Sequence, residues 1–164
     1  MRVYIKNKLF SVRGNSTVKN DMGQDAFAVK GKLFSFTRKK RVCDMQGNVL
    51  FSVRNKFFRL PLTSFKAFVL DANKKKIACV KKPFFSFNKY KVEGFKDEIS
   101  INGEFWSLHS QIIRNGMVIG NISRQITLFA DSFSLDGQPQ DMPFLIALVI
   151  AIDNIVDRLS GTRN

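Results

Sequence analysis

The stretch that decides the fold is DMPFLIALVIAID, residues 141–153, the most apolar run in the chain. A helix that crosses a bilayer needs about 20 mostly apolar residues. This run is shorter and is bounded by Asp141 and Asp153, and carboxylates are among the costliest groups to place in lipid. Apolar side chains cover every side of its first two turns, which does not fit a helix lying on a membrane. A helix that is apolar all round is buried by protein, so the segment predicts the core of a globular fold.

Signals for the start and the end of a helix surround this segment. Asp141 suits the N-cap position, Pro143 suits the first turn, and Gly161 lies just past the end. The sequence therefore predicts a helix over residues 142–159. The length and the ordinary composition of the chain, 45% hydrophobic and 24% charged, predict a single domain over residues 1–164.

Short strands fill the rest of the chain. Six segments place alternating or apolar runs around a turn signal, which is typical of β-hairpins, and a further strand is predicted near residues 129–135. Asn-Gly is the strongest short hairpin signal because both residues tolerate positive φ. The turn signals are Lys6-Asn7-Lys8, Lys30-Gly31-Lys32, Gln46-Gly47-Asn48, Asp71-Ala72-Asn73, Asn102-Gly103 and Asn115-Gly116.

About a dozen strands followed by one wholly apolar helix predict a mainly β fold, a closed antiparallel barrel that encloses the C-terminal helix. Closure removes the edges of the sheet, and a central helix fills a lumen that strand side chains cannot fill alone. A barrel that is already filled by its own helix is a poor carrier of buried small molecules. We therefore expect binding on the outside of the barrel or at its rim.

The charge is large and unevenly distributed along the chain. There are 27 Lys and Arg against 13 Asp and Glu, a formal net charge of +14, which indicates an anionic partner. Residues 1–92 hold 22 basic and 4 acidic side chains, whereas residues 93–164 hold 5 basic and 9 acidic ones. The first part of the chain is therefore the candidate binding surface.

Three runs of basic residues in this part are the candidate anion-binding and lipid-binding positions. If their turns lie at the same end of the barrel, they form one patch, and each basic residue at an anionic membrane contributes about 1 kcal/mol. The alternative is that they are solvated turns that protect strand edges and keep the protein soluble. The candidates are Arg38, Lys39, Lys40, Arg41, Lys74, Lys75, Lys76, Lys81 and Lys82.

The sequence offers little for catalysis. His109 is the only histidine, and without nearby Cys or acidic residues it predicts a structural role and no metal site. Cys43 and Cys79 match no metal spacing and are interpreted as packing thiols. Asp153 and Asp157 are expected at the mouth of the barrel, paired with basic side chains. Phosphate-loop and nucleophile-elbow motifs are absent. We expect neither an enzyme nor a cofactor.

Four stretches of the chain resemble a known family. In order they are GQDAFAVKGKLFSF, DMQGNVLFSVRNKFF, FVLDANKKKIACVKK and the terminal FLIALVIAIDNI. Together they resemble the bacterial members of the LURP-one-related group, in the tubby C-terminal-like superfamily that also contains the phospholipid scramblases. The resemblance implies a twelve-stranded barrel around a central hydrophobic helix. Tubby proteins bind phosphoinositide headgroups through basic surface residues, but their lipid-binding positions do not transfer to this chain residue by residue. The Cys-rich and calcium-binding features expected of scramblases are absent.

Three classes of partner fit a basic barrel of this kind. The first is an anionic membrane surface, bound peripherally through residues 1–92 and without a transmembrane span. The second is a nucleic acid, whose binding would weaken steeply with salt; against it, no stacking platform or recognition helix is identified in the sequence. The third is an acidic protein, recognised by a scaffold or regulatory module. The N-terminus lacks an apolar stretch long enough for a secretory signal, so we expect a cytoplasmic protein, with peripheral membrane attachment compatible with its charge.

Overall fold

The fold is an antiparallel β-barrel with one long helix. The computed structural model describes residues 1–6, 16–31, 39–56, 64–83, 90–102, 109–125 and 132–160. Its elements are β1 (Arg2–Lys6), β2 (Ser16–Asn20), β3 (Asp25–Gly31), β4 (Lys40–Cys43), β5 (Val49–Asn55), β6 (Ser64–Asp71), β7 (Lys76–Pro83), β8 (Lys91–Gly94), β9 (Ile99–Asn102), β10 (His109–Arg114), β11 (Met117–Gln125), β12 (Ser132–Gly137) and α1 (Met142–Ser160).

The twelve strands form one sheet in which chain neighbours pair almost throughout. The order is β8-β7-β6-β5-β4-β3-β2-β1-β12-β11-β10-β9, and all the pairs are antiparallel. The first strand thus pairs with the last, which wraps the sheet into a barrel. The ends of the sheet, β8 and β9, follow each other in the chain without pairing. The predicted barrel of about twelve strands is confirmed, with this seam leaving it nearly closed.

At one end of the barrel, which we call the turn end, tight turns connect β2 to β3, β4 to β5, β6 to β7, β8 to β9 and β10 to β11. Asn115 and Gly116 both have positive φ, 51° and 78°, as expected for the Asn-Gly turn between β10 and β11. Gly47 has φ 92° in the β4–β5 turn. The predicted turns at residues 46–48, 71–73 and 115–116 are confirmed, and the strand predicted near residues 129–135 is β12.

The other three predicted turns fall where strands end. Lys6 ends β1, Gly31 ends β3 and Asn102 ends β9, and the residues that follow them lie outside the described part of the chain. Two turns at the turn end, residues 21–24 and 95–98, were not predicted. The turn at residues 95–98 contains no glycine, so a search for Asn-Gly and similar turn dipeptides does not find it.

Helix α1 starts at the turn end and runs through the barrel. Leu145 N donates to Asp141 O at 3.0 Å, which places Asp141 at the start of the helix as predicted. Residues 142–155 are all buried. The apolar segment is therefore buried within the protein, where it contacts β4, β5, β6, β7 and β12. Among the described residues, no helix has both the length and the hydrophobicity to cross a membrane.

Two glycines let the helix approach the sheet. A Cβ at Gly120 would lie 2.9 Å from Asp136 O and would collide with Leu145 Cδ1. A Cβ at Gly137 would lie 2.8 Å from the same Leu145 atom. The absence of side chains at these positions of β11 and β12 is what seats Leu145 against the strands. Phe144, the residue before Leu145, packs against Phe51 of β5, and their ring centroids lie 5.9 Å apart.

Polar groups surround the second half of the helix. Lys40 Nζ, on the inner face of β4, lies 3.6 Å from Asp153 Oδ2. Asn55 Nδ2 donates to Asn154 O at 3.1 Å. Both Lys40 and Asn55 lie at the end of the barrel opposite the turn end, so these contacts join that end of the sheet to the second half of the helix. The predicted pairing of Asp153 with a basic residue is confirmed, and the side chain of Asp157 lies outside the described residues.

Candidate anion-binding surface

The outer face of β6, β7 and β8 carries three lysines in one line. The register pairs Lys66 with Lys81 and Lys81 with Lys91. Neighbouring strands lie about 4.8 Å apart, and residues paired directly across strands point to the same face. The three lysines therefore lie side by side on adjacent strands and point to the same face.

One carboxylate and one thiol lie in the next row of the same face. Cys79 pairs with Phe68 on one side and Glu93 on the other. Glu93 forms a salt bridge with Lys81. Burial raises the pKa of the Cys79 thiol, and Lys81 and nearby lysines oppose this shift only in part. The thiol is thus protonated at neutral pH, and both cysteines are free and buried, as predicted for packing residues.

The basic face continues to the turn end. Lys76 pairs with Leu70, and the β6–β7 turn carries Lys74 and Lys75, all three lysines being exposed. Lys96 is exposed in the turn that follows β8. We call the whole surface the basic wall. It consists of Lys66, Lys74, Lys75, Lys76, Lys81, Lys91 and Lys96.

The shape of the β6–β7 turn holds Lys74 in an unusual conformation. Its φ is 64°, in the left-handed region that a residue with a Cβ enters at a cost of roughly 1–2 kcal/mol. Lys74 N donates to Asp71 O at 3.0 Å, and Lys75 N donates to Asp71 Oδ1 at 2.9 Å. These bonds fix the turn. A lysine stands where glycine or asparagine would be less strained, and backbone strain of this kind is frequent at functional sites.

Aromatic rings lie among the lysines near the turn end. The rings of Phe68 and Phe95 are 6.5 Å apart between centroids. Lys76 Nζ lies 4.7 Å from the centroid of the Phe68 ring, a cation–π distance. Phe95 is 57% exposed, and its backbone N donates to Ile77 O at 3.0 Å.

Positive charge on the basic wall is only partly neutralised. Within the described residues, Lys66 and Lys91 have no carboxylate at salt-bridge distance, and Glu93 is bound to Lys81. The carboxylate of Asp97 in the β8–β9 turn faces Arg114 at 3.9 Å. The wall therefore has cations available to an external anion.

Several of the residues proposed from the sequence lie on this surface. Lys74, Lys75, Lys76 and Lys81 are members of the basic wall. Lys82 pairs with Phe65, whose side chain packs towards the core, and its Nζ lies 5.6 Å from the Tyr90 ring at the end of β7. Lys82 thus lies beside the wall and does not share its face.

The other run is separated from the basic wall. Lys40 is 8% exposed and faces the barrel interior, so it does not reach the outer surface. Arg41 is exposed on the outer face, in the row of Ser52, Leu70 and Lys76, three strands away from β7. Lys39 leads into β4 at the end opposite the turn end, and Arg38 lies outside the described residues. The two runs therefore do not converge in one patch.

Sequence reasoning did not find Lys66, Lys91 and Lys96. Each stands without a basic neighbour in the chain, so a search for runs of charge passes over it. The available signal was strand alternation within the hairpin, which places Lys66 and Lys81 on one face. Arg54, on β5 in register with Phe68, is exposed and borders the wall in the same way.

A groove lies on the other half of the barrel. It has a volume of about 390 Å³ and is lined by Asn102, His109, Ser110, Gln111 and Asn121. His109 Nδ1 is hydrogen-bonded to Ser123 Oγ at 2.8 Å. The described part of its lining carries an imidazole, amides and a hydroxyl and no lysine or arginine, so these residues do not explain the positive charge of the chain.

Comparison with known proteins supports the architecture. A crystal structure of a protein from Arabidopsis thaliana is similar, with a TM-score of 0.62 and 18% sequence identity, covering 94% of this chain and 91% of that chain. At this identity the likeness shows the fold alone. No curated protein matches the sequence. The sequence profile of the LURP-one-related family matches residues 1–153, and the chain therefore belongs to the LURP-one-related family.

Proposed function

We propose that this protein is a non-enzymatic binding module that docks on anionic lipid headgroups at the cytoplasmic face of a membrane. The basic wall is the docking surface. The observation that carries the proposal is the line of Lys66, Lys81 and Lys91 on three adjacent strands. From the sequence we expected residues 1–92 to bind through their basic runs. The proposal centres instead on this line of three lysines, of which only Lys81 belongs to such a run.

A line of like charges has a cost for the free protein. Like charges directly opposite each other across strands are destabilising, by an amount within the roughly 0.2–1 kcal/mol range of cross-strand pairs. Glu93 relieves the repulsion at Lys81 alone, since Lys66 and Lys91 lack a carboxylate partner among the described residues. An anion bound across the row would relieve the rest. The row of lysines is thus better suited to a surface that binds anions than to one that only faces solvent.

The shape of the wall favours a membrane over a strand of nucleic acid. The lysines extend across three neighbouring strands and along these strands to the turns. They therefore form a broad surface and not a narrow groove. Nonspecific binding of single-stranded nucleic acid uses a basic groove with several stacking aromatic side chains. Among the residues that the structure describes, Phe95 is the one exposed aromatic ring beside the wall.

The proposal is tested by vesicle co-sedimentation with a double variant, Lys66→Gln with Lys91→Gln. Wild-type protein should bind phosphatidylcholine vesicles that contain phosphatidylserine and should not bind phosphatidylcholine alone. At about 1 kcal/mol per cation, removing two charges should weaken binding roughly thirtyfold. The variant should also unfold at the same or a higher temperature, since repulsion is removed.

A matched control removes the same charge elsewhere. Lys30→Gln with Arg41→Gln changes two exposed cations that pair with each other across β3 and β4, away from the wall. This control should retain most of the binding. Equal loss in both double variants would show that net charge alone is responsible and would contradict the assignment of the wall.

A second variant addresses the turn end of the wall. Lys74, Lys75 and Lys76 changed together to Glu should weaken vesicle binding strongly with little effect on the melting temperature, because all three side chains are exposed. A salt-titrated binding assay with DNA and RNA runs beside it. Tight nucleic-acid binding with no vesicle binding would replace the lipid proposal.

A further inference from the structure

The exposed ring of Phe95 is the feature of the basic wall that charge does not explain. It is 57% exposed, the most exposed aromatic side chain among the described residues. Gly94, just before it, lacks a Cβ, and a Cβ there would collide with the Asp97 backbone. The tight bend at Gly94 and the bond from Phe95 N to Ile77 O hold the ring at the surface beside β7.

The surroundings of Phe95 are cationic on the side that faces the basic wall. Phe68 lies beneath it, and Lys76 lies over the Phe68 ring. Lys74, Lys75 and Lys96 are exposed in the two neighbouring turns. An apolar ring among ammonium groups matches a surface in which anionic groups lie above an apolar layer.

We propose that Phe95 is a membrane anchor, which inserts below the headgroups of an anionic bilayer while the surrounding lysines bind the headgroups. This inference rests on the proposed function and adds a component that salt does not screen. Interfacial binding combines the apolar area that is buried with electrostatic attraction to anionic lipid. The occupant is a bilayer because a free headgroup or a soluble phosphate has no apolar layer for the ring.

The first test compares wild type with Phe95→Ser on phosphatidylcholine vesicles containing phosphatidylserine, at about 0.1 M and about 1 M salt. The Debye length falls from about 10 Å to about 3 Å over this range. Wild type should keep a measurable part of its binding at high salt. Phe95→Ser should bind about tenfold more weakly at low salt and lose the salt-resistant part.

The second test places a polarity-sensitive dye at position 95. Cys43 and Cys79 are buried, so Phe95→Cys offers the accessible thiol among the described residues for labelling. Its emission should shift to the blue on anionic vesicles. The control is Met22→Cys, an exposed position in the β2–β3 turn, whose label should not shift.

The outcomes separate the anchor from the docking surface. If wild type binds anionic vesicles but Phe95→Ser has the same affinity and the same salt dependence, with no shift of the label, the anchor is wrong and the basic wall stands. If wild type does not bind anionic vesicles at all, both proposals fail. Inorganic phosphate should leave the emission of the label unchanged, and a shift with phosphate alone would also overturn the anchor.

Discussion

Lys40 and Asp153 face each other inside the barrel, with Lys40 Nζ 3.6 Å from Asp153 Oδ2 and side chains that are 10% and 9% exposed. The pair joins the first residue of β4 to the second half of helix α1. Removing charges from water in this way is costly, so each member of the pair stabilises the charge of the other.

Replacing Lys40 by Met should therefore destabilise the protein strongly. Loss of one partner of a buried pair typically costs about 3–5 kcal/mol. Urea denaturation followed by circular dichroism measures the effect. The double variant Lys40→Met with Asp153→Leu should recover a large part of the loss, and a single variant as stable as wild type would show that the pair contributes nothing.

Leu148→Asp should prevent folding. Leu148 is fully buried in the middle of α1, and the new carboxylate would lie in the apolar core. Absence of a cooperative thermal transition is the expected result. Leu148→Met, which keeps volume and polarity, should fold and lose less than about 1.5 kcal/mol. A well-folded Asp variant would contradict the burial of the helix.

Gly120→Ala should destabilise the protein through overpacking. The added methyl group would meet Leu145 and the carbonyl oxygen of Asp136, and such insertions typically cost about 1–3 kcal/mol. Thermal unfolding measures the loss. Combining the change with Leu145→Val should restore part of the stability, since a shorter side chain gives the methyl group room.

Lys74→Asn should raise stability and lower vesicle binding together. Asparagine tolerates the left-handed φ of 64° better than lysine, so a gain of about 0.5–1 kcal/mol is expected. The matched control is Lys75→Asn, which removes the same charge from the neighbouring position. It should weaken binding to a similar degree without the gain, and equal melting temperatures for the two variants would refute the strain at Lys74.

Stability should decrease in acid partly through Asp44. The side chain of Asn48 and backbone amides in the β4–β5 turn hold the pKa of Asp44 below its usual value. A carboxylate whose pKa is lower in the folded state stabilises the fold above its unfolded pKa of about 3.9, and this contribution is lost as the pH falls through the folded pKa. Denaturant midpoints between about pH 6 and pH 2 should therefore fall less steeply for Asp44→Asn than for wild type. Identical slopes would show that the turn does not contribute.

The helix and the barrel could be predicted because their signals are local. An all-apolar run between Asp141 and Asp153 leaves few places for the helix, and the observed α1 extends one residue beyond the predicted end at 159. The absence of pairing between β8 and β9 could not be predicted. No sequence signal near Phe95 indicates that β8 and β9, which follow each other in the chain, do not pair by hydrogen bonds.

The candidate surface was harder to predict because it depends on register. Lys66 and Lys91 meet Lys81 only through the pairings of β7 with its two neighbours, one of which includes a bulge. Lys40 shows the opposite case, since alternation with Val42 on β4 places it inside although it belongs to a basic run. Charge runs along a chain are therefore a poor guide to charge on a barrel, whereas strand alternation is a better one.

The order of elements along the chain has a consequence for how the molecule is made. The helix that fills the barrel follows every strand that surrounds it, and β1 must wait for β12 before it gains its second neighbour. During synthesis, from the N-terminus onwards, the growing sheet has an empty apolar inner side until the helical segment leaves the ribosome. Nascent chains of this protein should therefore be clients of chaperones for longer than those of proteins whose core forms early.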